Sequence, residues 1–328
     1  MAEGRRSVVT NIDLIDCVGP DQECYSFTKA VAGWTYLRQC ANADLVIIDN
    51  DQGRIYLACL IRPFFRFRLI SVDIILRPPQ GLKGRFLGLC KSALLTQVDK
   101  FILYFKNTAG YQRYYGIDPA KIDYVPFKVN GIEESYFPQA TPEGDYVLCA
   151  GRTLRDIKTF VAAMEFAACP GLLLQQEGEE MKAHGTTPFT GELPPNLHPA
   201  IHDGDLASFL RFIADAKLVV IPRFQNDIAS TGISTYLMAM GLGKCVIISR
   251  GPGAEDLLTD EALLVAPENI PALGQAIREM WQDDGRRKQI AASGKLYADR
   301  CKGSRRLVHD IWHASLRSLD PTPPTDSR

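Results

Sequence analysis

A run of small polar residues, STGIST at 230–235, stands directly before a stretch with the apolar spacing of a helix. N–H groups in the first turn of a helix have no intrahelical acceptor, and they readily bind anions such as phosphate. The backbone N–H groups of Thr231, Gly232 and Ile233 would be available here, and the hydroxyls of Ser234 and Thr235 would add donors. Ser and Thr also occur at helix starts as simple caps. We interpret the run as an anion site, with plain capping as the alternative.

Two further segments carry residue types that suit a diphosphate and a sugar. In LCAGRTLRD (148–156), Gly151 allows close backbone approach, and Arg152 and Arg155 offer guanidinium groups that can hold phosphate oxygens in pairs. Surface salt bridges are the alternative role for both arginines. In ISRGPGAEDLL (248–258), Glu255 could accept hydrogen bonds from sugar hydroxyls, or simply place negative charge at a helix start. We expect these segments to form one site.

The elements that would position this site follow an alternating pattern. Short apolar runs such as DLVIID (44–49) and KFILYF (100–105) alternate with segments of helical periodicity, which predicts parallel sheets covered on both faces. A polar stretch with Pro and Gly interrupts the pattern, which then restarts. The sequence therefore predicts an α/β protein with two Rossmann-like domains. The predicted parts are an N-terminal domain (1–135), a linker (136–145), a C-terminal domain (146–301), a final helix (302–317) and a disordered tail (318–328).

Such sheets bind ligands beyond the carboxyl ends of their strands, which is where all three candidate segments fall. The chain has a net charge of −1, so its overall charge gives no argument for binding nucleic acid. Its nine cysteines are scattered singly, which is typical of reduced thiols in a cytoplasmic protein. We see no signal peptide and no apolar run long enough to span a membrane, and we expect a cytoplasmic location.

A basic segment in the first half stands out from this balanced composition. Residues 54–91 contain eight Lys or Arg side chains and a single acid, Asp73, interleaved with Phe and Leu. Basic charge mixed with apolar residues suits the surface of an anionic membrane, although many charge runs are only solvated faces. This segment is our candidate for a peripheral contact with the inner face of a membrane.

Three motifs in order resemble those of a known family. YFKNTAGYQRYYGIDPAKIDYVPFKVN (104–130), AGRTLRDIKTFVAAM (150–164) and the sequence from AMGLGKCVIIS through GPGAEDLL to EALLVAPENIPALGQAI are similar to passages of nucleotide-sugar-dependent glycosyltransferases. From about residue 98 to 317, the chain most resembles the large retaining "group 1" family of the glycosyltransferase-B fold. The resemblance implies two Rossmann-like domains that face each other across a cleft. It also implies that the final helix crosses back onto the N-terminal domain.

The resemblance further implies an activity. The C-terminal domain would hold a nucleotide-diphosphate sugar as donor substrate, with no metal and no other cofactor, and the N-terminal domain would hold the acceptor. The acceptor would be a glycan or a lipid-linked or cell-envelope molecule. The family usually carries two glutamates eight positions apart, where this chain has Ser230 and Met238. Some members replace the first of these with a Ser/Thr-Gly stretch, which STGIST resembles.

The acceptor side offers one candidate catalytic residue. The histidine usual in the family is missing, and ISVDIIL stands at the corresponding strand, with Asp73 as its only acid. Asp73 could deprotonate the acceptor hydroxyl in an inverting enzyme, or orient the substrate in a retaining one. A purely structural role is the alternative.

Three hypotheses follow for the function of the whole chain. The leading one is a metal-independent glycosyltransferase that acts on a hexosyl-type donor. The second is a catalytically inactive glycosyltransferase-like subunit that binds a partner or lipid, which the missing acidic pair would favour. An epimerase on the same fold is third, and the sequence lacks the carboxylates and histidine that such chemistry needs.

Overall fold

The computed structural model describes residues 6–14, 16–17, 22–27, 31–138, 144–176, 185–301 and 303–317. The chain forms two compact units. Unit 1 contains residues up to Pro126 together with those from Arg305 onward, and unit 2 runs from Phe127 to Ser304. The first unit thus ends at Pro126, whereas the N-terminal domain predicted from the sequence ends at residue 135. Residues 139–143 of the predicted linker, Lys302 of the predicted final helix and the whole predicted tail lie outside the described residues.

Unit 1 contains a sheet of six parallel strands. They are β1 (Arg6–Thr10), β2 (Gln22–Ser26), β3 (Leu45–Asp49), β4 (Arg68–Val72), β5 (Lys100–Leu103) and β6 (Ile122–Tyr124), in the order β2-β1-β3-β4-β5-β6. The helices of its first part are α1 (Gly33–Ala41), α2 (Gln52–Ile61), α3 (Gly81–Leu95) and α4 (Ala109–Tyr115), with a 3-10 turn at Pro119–Lys121. Strand β3 is buried from Leu45 to Ile48, as a central parallel strand should be.

Unit 2 contains a second sheet of six parallel strands. They are β7 (Val147–Cys149), β8 (Gly171–Gln175), β9 (Leu197–Ile201), β10 (Leu218–Ile221), β11 (Cys245–Ser249) and β12 (Leu263–Val265), in the order β12-β11-β10-β7-β8-β9. The helices are α5 (Ile157–Ala167), α6 (Leu206–Ala214), α7 (Ile233–Gly241), α8 (Ile270–Gln282) and α9 (Asp284–Arg300). The core packs the sheet against α5 and α8, with Phe160, Met164 and Ile277 fully buried.

The last helix, α10 (Ser304–Arg317), belongs with unit 1. It buries Leu307, Ile311 and Trp312. The Arg306 guanidinium donates to the backbone carbonyl of Pro126 at 2.9 Å. Unit 1 is therefore built from two separate stretches of the chain.

Local sequence explains where several helices begin and end. The side chains of Asp156, Asp205 and Asn269 accept hydrogen bonds from N–H groups in the first turns of α5, α6 and α8. Helix α4 ends at Gly116, which takes the left-handed conformation with φ of 65°. None of the described helices is long and apolar enough to cross a membrane. The two parallel sheets with helices confirm the predicted α/β class.

Candidate functional site

The loops after β7, β10 and β11 come together at the carboxyl ends of three neighbouring strands of the unit 2 sheet. The backbone N–H of Asp156 donates to the carbonyl of Pro222 at 3.2 Å, which joins the first loop to the second. A Cβ on Gly253 would lie 2.8 Å from Cβ of Ser230, so the third loop packs directly on the segment before α7. The structure therefore brings together the three segments that the sequence predicted to form one site.

Gly232 is the N-cap of helix α7 and has a φ of 94°, a conformation that side chains rarely adopt. A Cβ at this position would lie 3.0 Å from Cγ2 of Ile221, at the end of β10. The N–H of Tyr236 donates to the Gly232 carbonyl at 2.8 Å and closes the first turn. The N–H groups of Ile233, Ser234 and Thr235 lie before this first intrahelical donor. No carbonyl of the helix accepts from them, so they are available to a ligand.

Three hydroxyl groups at this helix end differ in their hydrogen bonding. Thr231 is only 4% exposed, and its Oγ1 has no hydrogen-bond partner among the described residues. Oγ of the half-buried Ser234 accepts from Nδ2 of Asn130 at 2.7 Å, which leaves its own proton to donate. Oγ1 of the buried Thr235 accepts from the Arg155 guanidinium at 3.5 Å. A buried hydroxyl without a partner is unusual and needs an explanation.

Arg155, which the sequence analysis offered as a phosphate ligand, is buried. Its Nε donates to the Ala150 carbonyl at 3.0 Å, and Nη1 donates to the Thr153 carbonyl at 2.6 Å. A Cβ on Gly151 would overlap the guanidinium, so the glycine is required for this packing. Burial, and then the charge of Arg223, lower the pKa of Arg155 to about 10.

Arg152 and Glu255 are exposed. The guanidinium of Arg152 makes no hydrogen bond or ion pair with any residue that the structure describes, while its carbonyl accepts from the Thr186 hydroxyl. Glu255 lies in the turn after Gly251, whose carbonyl accepts its N–H at 3.2 Å. Asp256, next to Glu255, accepts from the N–H of Gly253 at 2.6 Å and fixes that turn.

Arg223 organises the site and was missed by the sequence analysis. It is fully buried, and its guanidinium donates to the carbonyls of Thr231 at 2.9 Å and Pro252 at 3.0 Å. Nε also donates to the Ser249 carbonyl at 3.0 Å. Burial lowers its pKa to about 10. One side chain thus connects the loop before α7 to the loop after β11. The only signal in the sequence was a cation directly after the apolar run LVVIP.

Asp73 lies in unit 1, immediately after β4, with a φ of 45°. Its N–H donates to the Ile102 carbonyl at 2.8 Å. Burial, and then the charge of Asp49, raise the pKa of the Asp73 carboxyl well above its usual range. Burial raises the pKa of Tyr104 as well, and both carboxylates add to that rise. Asp49 and Tyr104 were not predicted from the sequence, because their place beside Asp73 depends on β3, β4 and β5 being neighbours in the sheet and not on any motif.

The described residues include no group of three or more His, Cys, Asp or Glu side chains placed to hold a metal ion. The positive charges at the unit 2 site are those of arginines and a helix N-terminus. Both arginines with lowered pKa values remain protonated at neutral pH. This arrangement can bind an anion of diphosphate type.

No family model and no curated protein sequence matches the chain. Solved structures do match it. Anabaena HepE in complex with UDP superposes with a TM-score of 0.66 at 14% identity, covering 96% of this chain and 100% of that one. A glycosyltransferase from Rickettsia africae has a TM-score of 0.63 at 12% identity, covering 96% and 90%. Sucrose-phosphate synthase from Thermosynechococcus elongatus has a TM-score of 0.63 at 17% identity, covering 92% and 84%.

The chain has the glycosyltransferase-B fold. This confirms the fold that the sequence resemblance implied. The glycosyltransferase-B fold also accounts for the two separate six-stranded parallel sheets of the chain. At identities of 12–17%, the agreement is one of fold.

Proposed function

We propose that this chain transfers a sugar from a nucleoside diphosphate sugar to an acceptor hydroxyl. The observation that carries the proposal is the buried, unpartnered hydroxyl of Thr231 at the N-terminus of α7. A hydroxyl in that position, beside free backbone N–H groups, is explained by an anion that accepts from it. The exposed guanidinium of Arg152 supplies a second donor to the same diphosphate, and the Ser234 hydroxyl a third.

Positive charge beneath the site supports leaving-group stabilisation. Arg155 and Arg223 are buried under the loops, where charges act through a lower effective dielectric than in water. Neither guanidinium needs to touch the ligand to favour negative charge on a departing diphosphate. We propose that these cations and the α7 N-terminus take the role that a metal ion has in other enzymes, so that transfer is metal-independent.

UDP is the nucleotide that we propose for the donor. HepE, a protein of the same fold, has been solved with UDP and with UDP-glucose. The exposed carboxylate of Glu255, in the turn after β11, is suited to accept hydrogen bonds from ribose or sugar hydroxyls.

Asp73 is our candidate for the residue that acts on the acceptor hydroxyl. A carboxylate whose pKa is raised is a stronger base, which suits removal of a proton from a hydroxyl near neutral pH. In an inverting reaction Asp73 would take that proton, and in a retaining one it would orient the hydroxyl. We propose a lipid-linked or cell-envelope glycan as the acceptor, met in the cytoplasm at the inner face of a membrane.

Calorimetric titration with UDP, UDP-glucose, ADP and GDP tests the donor proposal. The wild-type chain should prefer the uridine nucleotides. Thr231→Val keeps the shape of the side chain and removes only the hydroxyl, so UDP affinity should fall about tenfold while the unliganded protein stays at least as stable as the wild type. Arg152→Ala should weaken UDP binding by a similar factor. Arg300→Ala, an exposed arginine on α9, is the matched control and should bind UDP as the wild type does.

Turnover separates an enzyme from a binding subunit. Slow release of glucose from UDP-glucose, measured without an acceptor and in EDTA, should be present in the wild type and reduced in Arg152→Ala. UDP binding without any release would favour the inactive subunit instead. Equal affinity of the wild type and Thr231→Val for UDP would contradict the proposed phosphate site.

A further inference from the structure

Helix α3 in unit 1 leaves most of its surface exposed, although it is rich in apolar residues. Only Gly88 and Leu95 of its 15 residues are buried. Leu82, Phe86 and Leu89 are 87%, 67% and 71% exposed. These positions are four and three residues apart, so they form one stripe along the helix. A helix that covers a sheet normally turns its apolar stripe towards the core, and α3 turns this one outwards.

One of the two buried positions of α3 is a glycine, Gly88. A Cβ on Gly88 would lie 3.1 Å from Cβ of Pro79, so glycine lets the helix pack closely on the preceding turn. Helix α2 packs against α3. The end of α2 and the turn that follows expose Leu60, Phe64 and Phe65 as well.

The exposed apolar side chains are concentrated in this part of the chain. Fifteen large apolar residues are exposed in the part of the chain that the structure describes, and seven of them lie between residues 60 and 89. Single exposed apolar residues are normal on any protein, whereas a cluster of this kind marks a surface that binds something. We call Leu82, Phe86 and Leu89, with the neighbouring Lys83 and Arg85, the α3 surface.

Seven of the eight basic residues of 54–91 fall into two groups, and the eighth, Lys91, lies over the Tyr56 ring with its Nζ 5.8 Å from the ring centroid. Arg54 pairs with Asp51, and both Arg62 and Arg68 pair with Asp99. Arg66, Arg77, Lys83 and Arg85 are exposed and make no ion pair with any described residue. Residues 74–98 contain no acid at all. The basic residues without ion pairs therefore lie in the same stretch of the chain as the exposed apolar side chains.

We propose that the α3 surface docks on the headgroup region of an anionic lipid bilayer. Leu82, Phe86 and Leu89 would enter the boundary between headgroups and acyl chains, while Lys83 and Arg85 contact lipid phosphates. A symmetric contact between two copies would place these cations against each other, so their charge disfavours a second copy as the occupant. The proposal does not depend on the nucleotide site, because α3 and that site are in different units.

Vesicle flotation with the full chain tests the proposal. The vesicles are either pure phosphatidylcholine or contain about a third phosphatidylglycerol, which is anionic. The wild type should bind the anionic vesicles at least about tenfold more tightly, and about 0.5 M NaCl should remove most of that difference. The triple variant Leu82→Gln, Phe86→Gln, Leu89→Gln and the double variant Lys83→Glu, Arg85→Glu should each lose about tenfold in binding. Leu296→Gln, at a position on α9 that is also 67% exposed, is the matched control and should bind as the wild type does.

Three results would overturn the membrane proposal. These are no binding to either vesicle, equal binding to both, and self-association of the wild type that the triple variant abolishes, which would make the α3 surface an interface between copies. Circular dichroism and UDP titration of each variant show whether it is folded and whether unit 2 is intact. Loss of vesicle binding with normal UDP affinity thus bears only on this surface.

Discussion

At the scale of single residues, the site in unit 2 depends on two kinds of arginine. Arg152 is exposed and free for a ligand, whereas Arg155 and Arg223 are buried and bonded to backbone carbonyls. The sequence could show that arginines occur in these loops, but not which of them would be buried. That depends on where the carbonyls of three separate loops meet, which only the assembled sheet determines.

Arg223→Leu should therefore destabilise the protein strongly. The substitution leaves the buried carbonyls of Ser249, Thr231 and Pro252 without their donor, at a cost of at least about 3 kcal/mol in the free energy of unfolding. Urea unfolding measures the change. Arg152→Ala, which removes an exposed arginine, should stay within about 0.5 kcal/mol of the wild type. Equal stability of the two variants would contradict the structural role of Arg223.

Asp73 should make the free energy of unfolding depend on pH, because its surroundings raise the pKa of its carboxyl. Its pKa is about 3.9 in the unfolded chain and well above that in the fold, so the folded protein binds the proton more tightly. The resulting stabilisation is complete below about pH 3.9 and is lost as the pH rises through the folded pKa.

Asp73→Asn removes this dependence, and asparagine tolerates the positive φ of the position. The variant should gain stability relative to the wild type as the pH rises from 4 to about 8, with no gain at the acid end. Unfolding temperatures across this range measure the difference. A difference that stays constant with pH would show that Asp73 does not carry the raised pKa.

At the scale of elements, the sequence predicted strands that are continuous apolar runs and missed β1, an inner strand whose apolar part is only Val8 and Val9. Strands β3 and β11 are continuous apolar runs because helices cover both sides of the sheet. Strands β2 and β9 were missed because they are edge strands with mostly exposed or polar residues, and β9 includes Pro199. The start of α7 was predictable from its glycine and hydroxyl residues, and the anion site proposed there stays a prediction.

The N-terminus of α7 should be sensitive to a single methyl group. Gly232→Ala forces a positive φ on alanine and places its Cβ 3.0 Å from Ile221, so both stability and UDP affinity should fall. Gly243→Ala, just beyond the other end of α7, has a comparable φ of 68° with no atom within 4 Å of the added Cβ. That control should lose about 1 kcal/mol of stability and keep its UDP affinity. If both variants bind UDP equally, the helix N-terminus is not the phosphate site.

At the scale of the whole molecule, the two units differ in how the chain builds them. Unit 2 is one continuous stretch, Phe127–Ser304, and contains every residue of the proposed phosphate site. Unit 1 needs α10 from the far end of the chain in addition to its first 126 residues. The sequence alone gave no apolar pattern that assigns α10 to one core or the other, and the resemblance supplied that expectation.

Truncation tests this difference between the units. A chain that ends at Ser304 lacks Leu307, Ile311 and Trp312, whose burial contributes up to about 5 kcal/mol, so unit 1 should unfold at much lower urea concentration. A chain that ends at Arg317 keeps α10 and is the control. Because every residue of the proposed phosphate site lies in unit 2, we expect the fragment 127–304 to fold alone and bind UDP with the affinity of the full chain. A folded fragment that does not bind UDP would show that the donor site requires residues of unit 1, whereas normal binding would assign nucleotide recognition to unit 2.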